Sequence, residues 1–191
     1  SLYFPCTYNT LALETVDYPI THYENFPVAS ILLPRRLRRP VQVIYAFARQ
    51  ADDFADEGND PPEARLARLN QFRAELDRIE RSEQSELPLF RDLALIIHEH
   101  QLPFQYFRDL LDAFSQDVTQ TRYQHFGEVM DYCRRSANPI GRLLLHLYRV
   151  TDARALAYSD GICSALQLIN FLQDIAIDYQ KGRIYLPQDE L

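Results

Sequence analysis

Two clusters of carboxylates at helical spacing, each set in an apolar run, constrain this chain more than any other feature. The first is Asp52, Asp53 and Asp56 in R-Q-A-D-D-F-A-D-E, and the second is Asn170, Asp174 and Asp178 in N-F-L-Q-D-I-A-I-D. Residues four apart on a helix lie one turn above another. Asp52 with Asp56, and Asn170 with Asp174 and Asp178, therefore form two ladders, each projecting in one direction. Between Leu166 and Ile177 the remaining residues are mostly Leu, Ile, Ala and Phe, which predicts a largely buried helix. Carboxylates facing an interior need a counter-charge. The pattern predicts helices that share a cation between acidic faces, and Mg2+ is the natural candidate.

The rest of the chain agrees with an all-α class. Only five Gly occur, helical periodicity fills the intervals between Pro and Gly, and no run alternates cleanly enough for a sheet. Helices are predicted at about 41–57, 61–82, 86–100, 103–115, 125–137, 139–149 and 152–180. Gly58, Asn59, Asp60, Pro61 and Pro62 read as a stop, a turn and a restart, and Pro103 and Pro139 suit first-turn positions. Arg35, Arg36, Arg38 and Arg39 read as a solvated turn ahead of the first helix. With 191 residues, 47% of them hydrophobic, the chain can bury one substantial core and is read as a single domain over 1–191. In L-P-Q-D-E-L, Pro187 looks like the opening of a further helix, so the chain is read as incomplete at its C-terminus.

Charge and cysteine content exclude some functions. A net charge of -7, from 27 acidic and 20 basic side chains, argues against general nucleic-acid binding, which needs a basic face. Cys6, Cys133 and Cys163 are odd in number and widely spaced, which suits neither a disulfide framework nor a paired-cysteine metal site. His98 and His100 sit two apart and cannot share a helix face, so no zinc site is expected. The N-terminal S-L-Y-F-P-C-T-Y-N-T lacks the pattern of a signal peptide, and no stretch reaches the roughly 18 apolar residues of a membrane span. The expectation is a cytoplasmic protein, compatible with peripheral membrane contact if it handles a lipid.

Diphosphate chemistry explains why acidic ladders should face each other. Magnesium prefers oxygen ligands and binds through a few carboxylates together with substrate phosphates and water. Basic and hydroxyl groups flank each ladder: Tyr45 and Arg49 precede Asp52 and Asp56, and Lys181 and Arg183 follow Asp178. These are suited to phosphate oxygens.

The segments Y-A-F-A-R-Q-A-D-D-F-A-D and Q-L-I-N-F-L-Q-D-I-A-I-D-Y-Q-K-G-R-I-Y-L-P resemble the two signature motifs of the squalene and phytoene synthase family, the trans head-to-head isoprenoid synthases. H-Y-E-N-F-P-V-A-S and S-A-N-P-I-G look most like the hydroxysqualene synthase branch of bacterial hopanoid biosynthesis. The resemblance implies an isoprenoid-synthase helical bundle with a central cavity, and Mg2+ ions holding a diphosphate between the two motifs. Asp52, Asp56, Asn170, Asp174 and Asp178 match the metal positions, with Asp53 beside them as a further candidate ligand, and Asp52 and Asp174 are also expected to be essential to catalysis. His22, Asn25, Phe26, Tyr45, Arg49 and Gln167 match positions lining the diphosphate and prenyl site, joined as substrate-binding candidates by Phe171, Lys181 and Arg183. Tyr132 matches an aromatic hydroxyl near the reacting carbons. Phe26, Tyr45 and Phe171 offer ring faces to a passing cation.

Two departures from the family pattern bear on substrate and product. Glu24 stands in H-Y-E-N-F where carotenoid-forming relatives carry Lys, so a basic diphosphate contact is lost. That suits an enzyme holding one diphosphate, as in presqualene diphosphate, rather than two. Asn138 stands where relatives carry small apolar residues and is a candidate to hold water. The implied reaction converts presqualene diphosphate and water to hydroxysqualene and diphosphate, without NADPH, and pathway enzymes are its expected partners. The alternatives are head-to-head condensation of two prenyl diphosphates to presqualene diphosphate, dehydrosqualene or phytoene, and a non-catalytic assembly factor. Assembly factors tend to have eroded aspartates, and this chain keeps its own.

Overall fold

The structure is a computed structural model and describes residues 33–56 and 60–190. Helix α1 (Arg35–Asp56) is organised by an apolar stripe of Leu37, Val41, Ile44, Phe47, Ala51 and Ala55, three or four apart and all buried. It starts well before the predicted position, so Arg35, Arg36, Arg38 and Arg39 belong to its first turns and not to a preceding loop. Leu37 is the reason, because burying it extends the stripe upstream. Pro40 lies inside the helix, in its second turn, where it forfeits one backbone bond.

Pro62 opens α2 (Pro62–Glu80) and Pro88 opens α3 (Pro88–His100), both at positions where a missing amide hydrogen costs nothing. Helix α3 ends at Gln101, whose φ of 52° lets the Leu102 amide reach back 3.0 Å to the Ile97 carbonyl. Helix α4 (Phe104–Thr119) runs four residues beyond its predicted end. Its buried stripe of Phe107, Leu110 and Phe114 continues through Asp117, a carboxylate that reads as a polar terminus in sequence but is only 4% exposed. Helix α5 (Phe126–Ser136) is capped by His125 Nδ1, which accepts from the Glu128 amide at 3.3 Å. Helices α6 (Asn138–Leu147) and α7 (Ala153–Gln173) follow, the latter capped by the Asp152 carboxylate at 2.9 Å from the Ala155 amide. The single helix predicted at 152–180 is divided: α7 ends before Asp174, and α8 (Ile175–Gln180) starts after it. A 3-10 turn at Gln188–Glu190 stands where Pro187 was expected to open a helix.

Helix α4 occupies the centre, packed against α1, α2, α5 and α6. The larger core joins α1, α2, α3, α4 and α6 around Phe47, whose ring meets those of Phe72 at 5.5 Å, Phe107 at 5.3 Å and Phe90 at 5.9 Å. Such aromatic contacts contribute beyond their buried area. A second, smaller cluster of Ala113, Tyr123, Val129, Tyr132, Cys133 and Phe171 meets α4 at Ala113. Gly141 on α6 lets α7 approach closely: a Cβ placed there would fall 2.6 Å from Cys163 Sγ and collide with Ser159 Oγ.

The expectation that Leu166 to Ile177 is largely buried is not met. Leu166 is 55% exposed, Leu172 59% and Ile177 55%. Helix α7 packs by one side against α5 and α6, where Ser164 and Phe171 are buried, and nothing among the described residues covers its other side. The described residues contain no strand, only an isolated bridge between Arg122 and Ile184. No helix among them is long and apolar enough to cross a membrane.

Candidate active site

The site is assembled where the end of α1 meets the segment after α8. Gly182 has φ of 76°, a left-handed conformation that costs glycine little, and it turns the chain back from α8. Beyond it, the Ile184 amide donates to the Thr121 carbonyl at 3.0 Å and the Gln188 amide to the Tyr123 carbonyl at 2.9 Å. The returning segment is thereby fixed along residues 121–124. Arg183 and Tyr185 lie two apart on it and share a side.

Arg183 Nη1 donates to Asp56 Oδ1 at 2.5 Å, and Lys181 Nζ lies 3.2 Å from Asp56 Oδ2. Burial works against the Arg183 charge, yet Asp56, Tyr185 and Asp117 leave its pKa above the ordinary guanidinium value. Asp52, one turn earlier on α1, has its pKa raised to about 7. Burial is the main cause, followed by the negative charge of Asp56, with Asp117 and Asp53 adding and Arg49 opposing. Asp178 is also raised, first by burial and then by Asp174, with Asp56 contributing while Arg183 and Lys181 oppose. Asp56 of the first acidic motif thus contributes to the upward shift of Asp178 in the second. Helical hydrogen bonding passes through the break at Asp174: its amide donates to the Asn170 carbonyl at 2.9 Å and its carbonyl accepts from the Asp178 amide at 2.8 Å. The backbone bonds that link Asn170, Asp174 and Asp178 turn by turn are therefore kept across the break.

An aromatic wall adjoins these charges. The Phe171 and Tyr185 rings stack with centroids 4.1 Å apart and planes 2° from parallel. Tyr132 contacts both, at 5.9 Å and 5.5 Å, and Tyr123 stacks on Tyr185 at 5.5 Å. Behind the wall, Asp117 Oδ2 accepts from the Tyr132 hydroxyl at 2.5 Å, and Oδ1 accepts from the Tyr185 hydroxyl at 3.0 Å. Burial pushes the Asp117 carboxyl up to about 6, against the Tyr132 hydrogen bond and the Arg183 charge. Burial, then the Asp117 charge, raises the Tyr132 and Tyr185 hydroxyls above the usual phenol value. In front lies a cleft of about 180 Å³, lined by apolar and aromatic groups, Phe171, Ile175, Tyr179 and Tyr185 among them, together with Asp178 and Arg183.

Several predicted residues fall into this arrangement and others do not. Asp52, Asp56, Asp178, Phe171, Tyr132, Lys181 and Arg183 are brought together. Arg49, expected on phosphate, pairs along α1 with Asp53 at 2.8 Å. Tyr45 is partly buried on α1, and Gln167 partly buried on α7; Asn170 and Asp174 are exposed. Asn138, 7% exposed, accepts from Ser164 Oγ at 2.9 Å and so joins α6 to α7. His22, Asn25 and Phe26, with Glu24, lie outside the described residues. Asp117, Tyr123 and Tyr185 are additions to the predicted site. Tyr185 belongs to the K-G-R-I-Y signature, whereas Asp117, at the end of an apolar stripe, carries no signal in sequence that separates it from an ordinary polar helix end.

The six expected metal ligands do not gather at one point. Among the described residues no three His, Cys, Asp or Glu side chains converge on a common metal position, and Asp56 is paired with Lys181 and Arg183. The donor chemistry still fits a hard divalent cation: the candidate ligands are oxygens, and burial together with the neighbouring Asp56 charge raises the Asp52 carboxyl, an environment that added positive charge would relieve.

The squalene/phytoene synthase family model matches residues 21–191. The hydroxysqualene synthase of Zymomonas mobilis is 42% identical over 168 residues, covering 87% of this chain and 55% of that protein. The phytoene synthase of Mycobacterium bovis is 35% identical over 171 residues, covering 90% of this chain and 55% of its own length. Among solved structures, squalene synthase HpnC from Alicyclobacillus acidocaldarius superposes with a TM-score of 0.81 at 39% identity, over 88% of this chain and 63% of that one. The chain thus spans about half the length of the curated relatives it matches. Its helical architecture and both acidic motifs are accounted for together: the chain belongs to the squalene/phytoene synthase family.

Proposed function

We propose that this chain carries the site for converting presqualene diphosphate and water to hydroxysqualene and diphosphate, with Mg2+ as the metal. The observation that carries the reading is the junction of an acidic and basic cluster, Asp52, Asp56, Asp178, Lys181 and Arg183, with the cleft walled by Phe171 and Tyr185. A diphosphate with a long hydrocarbon needs both a charged end and an oily end. Similarity to hydroxysqualene synthases at 42% and 40% identity supports this choice within the family.

The chemistry begins with heterolysis of the carbon–oxygen bond, the electron pair leaving with diphosphate. Mg2+ held by Asp52, Asp56, Asn170, Asp174 and Asp178 would supply the charge that stabilises this leaving group. Lys181 and Arg183, both beside Asp56, would donate to the leaving group's oxygens. The remaining cyclopropylcarbinyl cation rearranges beside ring faces, which attract positive charge. Water then forms the new carbon–oxygen bond and releases a proton, so no hydride donor is required.

A second reading is favoured by the phytoene synthase relatives: condensation of two prenyl diphosphates. Mass spectrometry of the lipid products separates the two. Hydroxysqualene from presqualene diphosphate, dependent on Mg2+ and absent with farnesyl diphosphate alone, is the expected result. A hydrocarbon or presqualene diphosphate made from farnesyl diphosphate alone overturns the first reading in favour of the second.

A further inference from the structure

We propose that Asp117 is a positioning residue that holds Tyr132 and Tyr185 as one wall of the cleft, with both phenol hydrogens turned away from the substrate. The inference rests on the prenyl diphosphate reading above and adds to it a residue from outside both acidic motifs. Asp117 sits near the end of α4, the central helix, and is 4% exposed. A carboxylate is rarely buried so fully unless its oxygens are satisfied. Here each oxygen has one phenol: Tyr132 on Oδ2 at 2.5 Å and Tyr185 on Oδ1 at 3.0 Å.

A carboxylate only accepts, so both hydroxyls must donate to it. Their oxygens are left with lone pairs, and their rings are locked in contact with each other and with Phe171. Tyr185 lines the cleft directly, and Tyr132 backs it. A wall of this kind offers electron density to a cation and withholds any acidic hydrogen from the leaving diphosphate. Replacing Asp117 by Asn changes that with almost no change in volume. The amide nitrogen can only donate, so one of the two phenols loses its acceptor and turns its hydrogen elsewhere. Asp117 touches neither substrate nor metal in this scheme; it acts through the two tyrosines.

The experiment compares the full chain with Asp117→Asn, Tyr132→Phe and Asp117→Asn/Tyr132→Phe on presqualene diphosphate and on farnesyl diphosphate. Asp117→Asn is expected to lower kcat by about tenfold or more while KM and the binding of Mg2+-pyrophosphate stay within about twofold. It should also change the ratio of products formed. The double variant should be no slower than the slower single one, since both substitutions disable the same wall. Wild-type kcat and product ratio in a folded Asp117→Asn protein, or losses that multiply in the double variant, overturn the proposal. If Asp117→Asn does not fold, Tyr132→Phe and Tyr185→Phe decide it: each should lower kcat at unchanged KM, and wild-type kcat in both overturns it. The substrate assignment is read from the wild type alone, and the Asp117 effect as variant over wild type on whichever substrate is consumed. The two can therefore fail separately, whereas wild-type turnover of neither substrate overturns both.

Discussion

Arg183 donates to Asp56 at 2.5 Å, joining the end of the first acidic motif to a residue 127 positions later, just beyond the second. The Arg183 side chain is 10% exposed, whereas that of Lys181, on the other oxygen of Asp56, is 45% exposed. The two cations therefore differ in what their loss exposes. Removing Arg183 leaves Asp56 partly buried beside Asp52 with only a solvated partner, and breaking a buried pair from one side costs about 3 kcal/mol. Losing a largely solvated pair costs less than about 1 kcal/mol. Urea denaturation of Arg183→Ala and Lys181→Ala should show this ordering, and equal losses would contradict it.

The acidic cluster also sets a pH dependence for the metal-free chain. The Asp52 carboxyl is raised from 3.8 to about 7, so between those values the folded chain retains a proton that the unfolded chain has released. Stability must then fall as pH rises through that window, with the full penalty present above about pH 7. Asp117, raised to about 6, acts in the same direction over a narrower range. The difference in stability between Asp52→Asn and wild type isolates the larger effect: the variant should gain on wild type progressively from about pH 4 to pH 7. Mg2+ with pyrophosphate should shrink that gain by supplying the missing positive charge. A difference that stays constant across the window would remove the argument for a strained carboxylate.

Much of this arrangement is legible in the sequence, and the failures share a cause. The acidic ladders were readable because spacing of four residues places carboxylates on one face whatever else happens. Lys181 and Arg183 were readable by adjacency to the second ladder. Asp117 was hidden because a polar residue at the end of an apolar stripe ordinarily marks where a helix leaves the core; only its partners, Tyr132 and Tyr185, at separations of 15 and 68 residues, show otherwise. The burial assigned to Leu166–Ile177 failed for a related reason. Composition gives the apolar content of a helix, but what packs over each face is a long-range property. Asp174 divides α7 from α8, and no glycine or proline in the sequence announces that break.

Loss of function should separate from loss of fold at the acidic residues. Asp52→Ala and Asp174→Ala are expected to abolish turnover of the prenyl diphosphate while the far-UV circular dichroism spectrum stays helical. Removing a carboxylate relieves like-charge repulsion where no metal is bound. Calorimetric titration with Mg2+-pyrophosphate should show binding weakened by about tenfold or more in each variant, as expected for loss of a charged ligand. A variant that unfolds yet keeps its activity per folded molecule would place these aspartates in the scaffold instead.

The contact between α6 and α7 fixes how α7 presents the second motif, and Gly141 controls that contact. A methyl group at 141 would meet Cys163 Sγ at 2.6 Å as well as Ser159 Oγ, distances that force the helices apart or drive both side chains into new rotamers. Overpacking of this kind costs about 1–3 kcal/mol. Phe171 lies further along the same helix and carries the stack on Tyr185, so a shift of α7 should also disturb the aromatic wall. Gly141→Ala should therefore lower both the melting temperature and kcat, whereas Gly161→Ala, on the same helix with open space around its Cβ position, should lower neither. Full activity and stability in Gly141→Ala would mean that α6 and α7 can separate without moving the site.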